Sequence, residues 1–173
     1  MNLKTKKLCR LGLLTAITVI LAMFFTFRIG TMIKIPMKFV SVFITGVFFG
    51  PIWGGVVGAL GDFFNAVLMP VGAYIPLLTL VEFLCGFTYG ALLFNIDKRK
   101  SFLPITICLI LQFLIDEFLT PVILVNCGIF PDYSFALITR TPASILKVAI
   151  QGIAIYPCKY YLKYIRRFMN EEL

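Results

Sequence analysis

The chain has 173 residues, of which 60% are apolar, 15% aromatic and only 14% charged, with a formal net charge of +8. A soluble domain is roughly 45–50% apolar and about 25% charged, and a chain this short cannot hide so much apolar surface from water. The composition excludes a disordered chain and points to an integral membrane protein with several spans.

The first predicted helix covers 8–27. It follows Lys4, Lys6, Lys7 and Arg10, as the core of a signal peptide would. No small-x-small cleavage site comes after it, so it reads as a retained span. It carries Gly12-x-x-x-Ala16, a small pair that lets another helix approach closely, either in this chain or in a partner. The stretch 39–70 is one span or two, broken at Gly50-Pro51. Pro51 removes a backbone donor and Gly50 permits a sharp turn. Parity decides between them. One span gives five in total and puts the termini on opposite sides. Two give six, and place Lys4, Lys6, Lys7, Arg10, Lys98, Arg99, Lys100, Lys159, Lys163, Arg166 and Arg167 on one side. That is eleven of the sixteen basic residues, and the positive-inside rule favours it.

The remaining helices are predicted at about 36–49, 52–68, 75–96, 102–125 and about 138–165, with turns at 69–73 and 126–133 marked by Gly and Pro. The expected fold is a single all-α membrane domain over 1–173. It is a bundle of six transmembrane helices with both termini cytoplasmic. No internal repeat, second domain or run of alternating strand pattern is visible. The five cysteines form no C-x-x-C pair and read as small core-filling residues.

The chain has no histidine. That excludes Ser-His-Asp and Cys-His catalysis and imidazole metal sites. There is no GxGxxG, phosphate-binding loop or HExxH pattern. In so apolar a chain the positive charge sets membrane orientation and does not point to nucleic acid.

Five basic residues fall away from the inner face. Arg28, Lys34 and Lys38 lie in the first outer loop, and Arg140 and Lys147 share one face near the outer end of the last helix. They read either as residues snorkelling to the headgroups or as an outward pocket for an anionic ligand. Arg140 is the leading candidate, because its planar fork holds a carboxylate with two hydrogen bonds. Asp62, Glu82, Asp116 and Glu117 lie inside apolar stretches, where an ionisable group is a functional-site hypothesis by default. The alternatives are ion pairs with Arg140 or Lys147, or positions near water. A membrane enzyme without His would need a carboxylate pair or a Ser-Lys dyad, and Ser144 and Lys147 are three apart on the last helix, which allows contact.

The run Gly50-Pro51-Ile52-Trp53-Gly54-Gly55-Val56-Val57-Gly58-Ala59-Leu60-Gly61-Asp62 is followed by Pro70-Val71-Gly72-Ala73-Tyr74-Ile75-Pro76 and by Gly86-Phe87-Thr88-Tyr89-Gly90. In combination these resemble the substrate-binding (S) components of energy-coupling-factor (ECF) vitamin transporters, most closely the folate type. The likeness is strongest over 44–96. Weaker likeness reaches the first helix and Arg140-Thr141-Pro142. Departures are Gly12, where alanine is more usual, Met23, where folate-type members often carry Arg, and Pro36-Met37-Lys38-Phe39, where they tend to be glycine-rich.

The resemblance implies a six-helix, non-catalytic subunit of the bacterial plasma membrane. It would capture a vitamin outside, then join a transmembrane coupling protein and two ATPases that topple it to release the vitamin inside. Gly12 and Ala16 occupy the position that docks the coupling protein. No cofactor or metal is implied. For folate, Phe39, Phe63, Phe64, Tyr74 and Tyr133 can supply aromatic walls. Asp62 or Glu82 can accept hydrogen bonds from the pterin amino group and ring N–H. Arg28, Lys34, Lys38, Arg140 and Lys147 can hold the dicarboxylate tail. Other readings are an S component for pantothenate, hydroxymethylpyrimidine or riboflavin, and a structural or assembly membrane protein. A neutral ligand would leave the outer cations unexplained.

Overall fold

The structure is a computed structural model. It describes residues 3–29, 33–70, 74–94 and 103–171, with side chains over 5–26, 37–70, 74–94 and 103–157. The loop expected at 97–101 and most of the basic tail after it lie outside the described side chains, as does the tip of the 69–73 turn.

Helix α1 runs Leu3–Phe24 and leads into a two-stranded antiparallel hairpin, β1 Thr26–Ile29 and β2 Ile33–Pro36. The hairpin corrects the all-helical expectation, which left this segment as loop. Thr26, Phe27, Ile29, Ile33 and Ile35 are strand-favouring residues, and Met37 N–H extends the ladder to Phe25 C=O at 3.0 Å. Its register sets Arg28 opposite Lys34.

Helix α2, Phe39–Phe49, and helix α3, Pro51–Leu68, are separated by Gly50 alone. Gly50 has φ 96° and ψ 178°, a conformation essentially reserved for glycine. Pro51 follows at the first helical position, where its missing N–H costs nothing. The break expected at Gly50-Pro51 is therefore present. Helix α4 spans Pro76–Leu93. A single rod then comprises α5 Leu103–Leu114, a π-helical turn Ile115–Leu119 and α6 Thr120–Asn126. Helix α7, Tyr133–Glu171, is 39 residues, about 58 Å long. It starts five residues before the predicted helix and absorbs Pro142 and Pro157. Among the described residues, four segments are long and apolar enough to cross a bilayer: Thr5–Phe24, Pro51–Leu68, Pro76–Leu93 and Leu103–Asn126; Phe39–Phe49 is a shorter apolar helix.

Glycine draws α2, α3 and α4 together. A Cβ on Gly54 would stand 2.6 Å from the Gly86 carbonyl oxygen and 2.9 Å from Gly46 Cα. Gly54-x-x-x-Gly58 on α3 and Gly86-x-x-x-Gly90 on α4 thus bring two backbones into contact, the close approach that small residues four apart allow in membranes. The glycine-rich motif is first of all a packing device. The apolar core lies beside it and joins α2 (Val42, Phe43, Val47), α4 (Tyr89, Leu93), α5 (Ile105, Cys108, Leu109) and α7 (Ile155). Cys85 and Cys108 are buried as expected, but Cys9 and Cys127 are exposed on the bundle surface. The Thr18 and Ser41 hydroxyls share the Leu14 carbonyl, at 2.7 and 3.0 Å, and so tie α1 to α2.

Candidate functional site

A cavity of about 330 Å³, its open mouth included, lies among α2, α4, α5 and α7. Helix α2 contributes Phe39 and Val42, with Lys38 at its N-terminal cap. Helix α4 contributes Glu82, Cys85 and Tyr89, which share one face by their spacing of three and four. Gln112 comes from α5, and Lys147 and Gln151, one turn apart, from α7.

The charges at the mouth are paired. Lys38 Nζ lies 3.1 Å from Asp62 Oδ1 and 3.0 Å from Glu82 Oε1, and its side chain is 7% exposed. One lysine thus bridges α3 and α4. Thr79 Oγ1 donates to the other Asp62 oxygen at 3.0 Å. Thr79 has a single proton, so the Tyr74 hydroxyl, 2.9 Å away, donates to Thr79. Both Asp62 oxygens are therefore engaged, and Glu82 is the carboxylate that reaches the cavity. Three cavity-side groups, Lys38, Asp62 and Glu82, sum to one negative charge.

Deeper, Lys147 Nζ lies 3.0 Å from Asp116 Oδ2. This pairing takes the ammonium that a Ser144–Lys147 dyad would need. The π turn explains how two adjacent carboxylates both face α7. Asp116 reaches Lys147, while Glu117 accepts a hydrogen bond from Thr141 Oγ1. In a regular helix neighbouring side chains diverge by about 100°, and the wider π turn narrows that angle.

Of the residues singled out from the sequence, the structure brings Lys38, Phe39, Glu82 and Lys147 to the cavity. Asp62 stands behind Lys38. Phe63 packs edge-on against both Phe64 and Tyr74, with centroids 5.7 Å apart in each pair, on an exposed patch that does not line the cavity. Tyr133 and Arg140 do not line it either. Arg140 sits two turns before Lys147 on α7, within electrostatic reach of Asp116. The backbone positions of Arg28 and Lys34 are in the hairpin. Gly12 and Ala16 lie on the exposed face of α1, and a Cβ on Gly12 would meet nothing within 4 Å. Val42, Cys85, Tyr89, Gln112 and Gln151 were not singled out as site residues, although Tyr89 stands in the Gly86–Gly90 motif.

The family model of the ECF-type riboflavin transporter S component matches residues 2–163. The chain belongs to this family. It is thus a multi-pass membrane subunit of a transporter, not an enzyme. A solved structure, FolT bound with folic acid, resembles this S component with a TM-score of 0.76 and 29% identity, over 91% of this chain and 92% of that one. The folate transporter FolT of Clostridium novyi (strain NT) is 33% identical over 81 residues, 46% of this chain. The matched segment spans 47% of that relative, about half its length. The family description names riboflavin and both relatives name folate, so the ligand of this S component has to be argued from its cavity.

Proposed function

We propose that this S component binds folate in the α2–α4–α5–α7 cavity and delivers it inward as the membrane subunit of an ECF transporter of the bacterial plasma membrane. Folate is favoured over riboflavin by two lysines at the cavity, each with an N–H to spare beyond its carboxylate partners. Lys38 and Lys147 both line it, and an anionic tail can share their protons with the resident carboxylates, whereas a neutral vitamin has no use for them. Phe39 offers a ring to stack on, and Glu82 accepts from the ligand's amino or N–H donors. Arg140, Lys34 and Arg28 are the candidates in this reading to hold the tail carboxylates. Tyr74, Asp62, Phe63, Phe64 and Tyr133 then act by supporting the mouth. The similarity to FolT bound with folic acid supports the same choice.

Isothermal titration of the detergent-purified protein tests this reading. Folic acid is expected to bind with a submicromolar Kd and riboflavin to fail to compete. Binding of riboflavin without folic acid would sink the folate assignment and leave family membership standing.

Both termini are cytoplasmic in this reading, and Gly12 and Ala16 dock a transmembrane coupling protein that two ATPases drive. The open space beside Gly12 supports that role. Gly12→Leu is expected to leave folding and folic acid affinity unchanged and to abolish ATP-dependent uptake in proteoliposomes holding the coupling module. Undiminished uptake would show that this face contacts only lipid.

A further inference from the structure

Two buried polar atoms of the cavity have no hydrogen-bond partner, the Tyr89 hydroxyl and Gln151 Oε1. Both residues are 2% exposed. Leaving such groups unpaired is costly, and native interiors seldom do it. Two in one cavity make a complementary pair. A phenol can donate, while an amide oxygen can only accept.

We propose that Tyr89 and Gln151 form the floor of the binding site and recognise an uncharged lactam edge on the ligand's ring. Tyr89 O–H donates to the ring carbonyl, and Gln151 Oε1 accepts from the neighbouring ring N–H. This rests on the vitamin-binding reading above and adds what is read at depth.

The surroundings argue for a neutral group. The charged side chains stand nearer the mouth. Glu82 precedes Tyr89 by two turns on α4, and Lys147 precedes Gln151 by one turn on α7. Gln112 cannot donate to Gln151 Oε1, because its Nε2 already donates to the Cys85 carbonyl and to Thr88 Oγ1, both at 2.7 Å. A carboxylate at the floor would find too few donors, and a cation no carboxylate. The Tyr89 ring is held edge-on by Phe43, at 5.8 Å and 82°, so its hydroxyl is aimed before the ligand arrives. Preorganisation of this kind saves ordering entropy on binding.

Titration of purified wild type, Tyr89→Phe and Gln151→Met with folic acid and with its 4-amino analogue is the test. The analogue replaces the ring carbonyl by an amino group and turns the adjacent N–H into an acceptor. Wild type is expected to prefer folic acid. Each variant is expected to lose about ten-fold in folic acid affinity, as for one buried hydrogen bond, and much less for the analogue. Thermal unfolding of the ligand-free Tyr89→Phe protein is expected to stay the same or rise, because an unpaired buried hydroxyl has been removed. Unchanged folic acid affinity in both variants, an equal loss for both ligands, or a fall in ligand-free stability would overturn the proposal. Should wild type bind riboflavin and not folic acid, the folate reading falls. Riboflavin, whose ring also carries C=O beside N–H, then becomes the probe, and unchanged riboflavin affinity in both variants would overturn the subsite. Binding of neither vitamin would overturn both.

Discussion

Lys38→Met is expected to destabilise the protein by about 3–5 kcal/mol, the usual penalty for removing one partner of a buried ion pair. Lys38 holds two carboxylates from two helices, at 3.1 and 3.0 Å, and is itself the most buried of the three side chains. Without it Asp62 and Glu82 face each other across α3 and α4 with like charge. Thr79 still donates to Asp62, but a hydroxyl offsets little of that repulsion. Against a total stability of about 5–15 kcal/mol, the loss is large. Thermal unfolding followed by circular dichroism in detergent measures it. Adding Asp62→Asn or Glu82→Gln to the Lys38→Met protein is expected to recover part of the loss, since the remaining repulsion is removed. A loss below about 1 kcal/mol, or no rescue by either amide, would mean that the charges are not coupled as the geometry indicates.

Gly86→Val should be more damaging than any ordinary core substitution. Overpacking normally costs about 1–3 kcal/mol because side chains and backbone shift to make room. Here the obstruction is backbone. A Cβ on Gly86 would overlap the carbonyl of Gly54, and a Cβ on Gly54 would lie 2.6 Å from the carbonyl of Gly86. Helices α3 and α4 could accept the side chain only by separating, which would pull Lys38 away from one of its two partners. The expected result is loss of monodisperse protein on size-exclusion chromatography. A well-folded Gly86→Val protein with wild-type thermal stability would refute the contact.

The helical frame was legible because its signals are strong ones. The Gly50-Pro51 break and the runs free of charge located α2, α3, α4 and the rod from α5 to α6 within a few residues, and the basic residues supplied the parity argument. Two features escaped. The hairpin over Thr26–Pro36 is short, and its cations hide its alternation. The start of α7 at Tyr133 was placed five residues late, beyond the turn signals of Gly128 and Pro131, while Pro142 lies inside both the expected and the observed helix. Thr139 bonds back to the Phe135 carbonyl at 2.8 Å in the turn before Pro142.

The site was legible only where charge marked it. Lys38, Glu82 and Lys147 stood out as ionisable groups in apolar sequence. Their pairing did not, because it depends on contacts between elements. Asp62 with Lys38, and Asp116 with Lys147, are 24 and 31 residues apart. Tyr89, Gln112 and Gln151 carry no charge and look like ordinary members of apolar helices. Gln112 and Gln151 were nevertheless findable, since an uncharged amide inside a span needs a partner. The aromatic patch of Phe63, Phe64 and Tyr74 misled for the opposite reason. Its composition suits a ligand wall, but α3 turns these rings toward the exterior.

The wide turn at Ile115–Leu119 has a consequence for how the fifth rod meets its neighbours. Its buried stripe steps through Ile105, Cys108, Leu109 and Gln112 at α-helical intervals, then advances five residues to Glu117 before resuming at Thr120, Pro121 and Leu124. The two halves of the rod are thus phased separately. The lower half keeps its face to the core while the upper half is turned to bring acidic groups against α7. Sequence drift before the turn, where Gln112 lines the cavity, need not be compensated after it, where Thr120, Pro121 and Leu124 are buried.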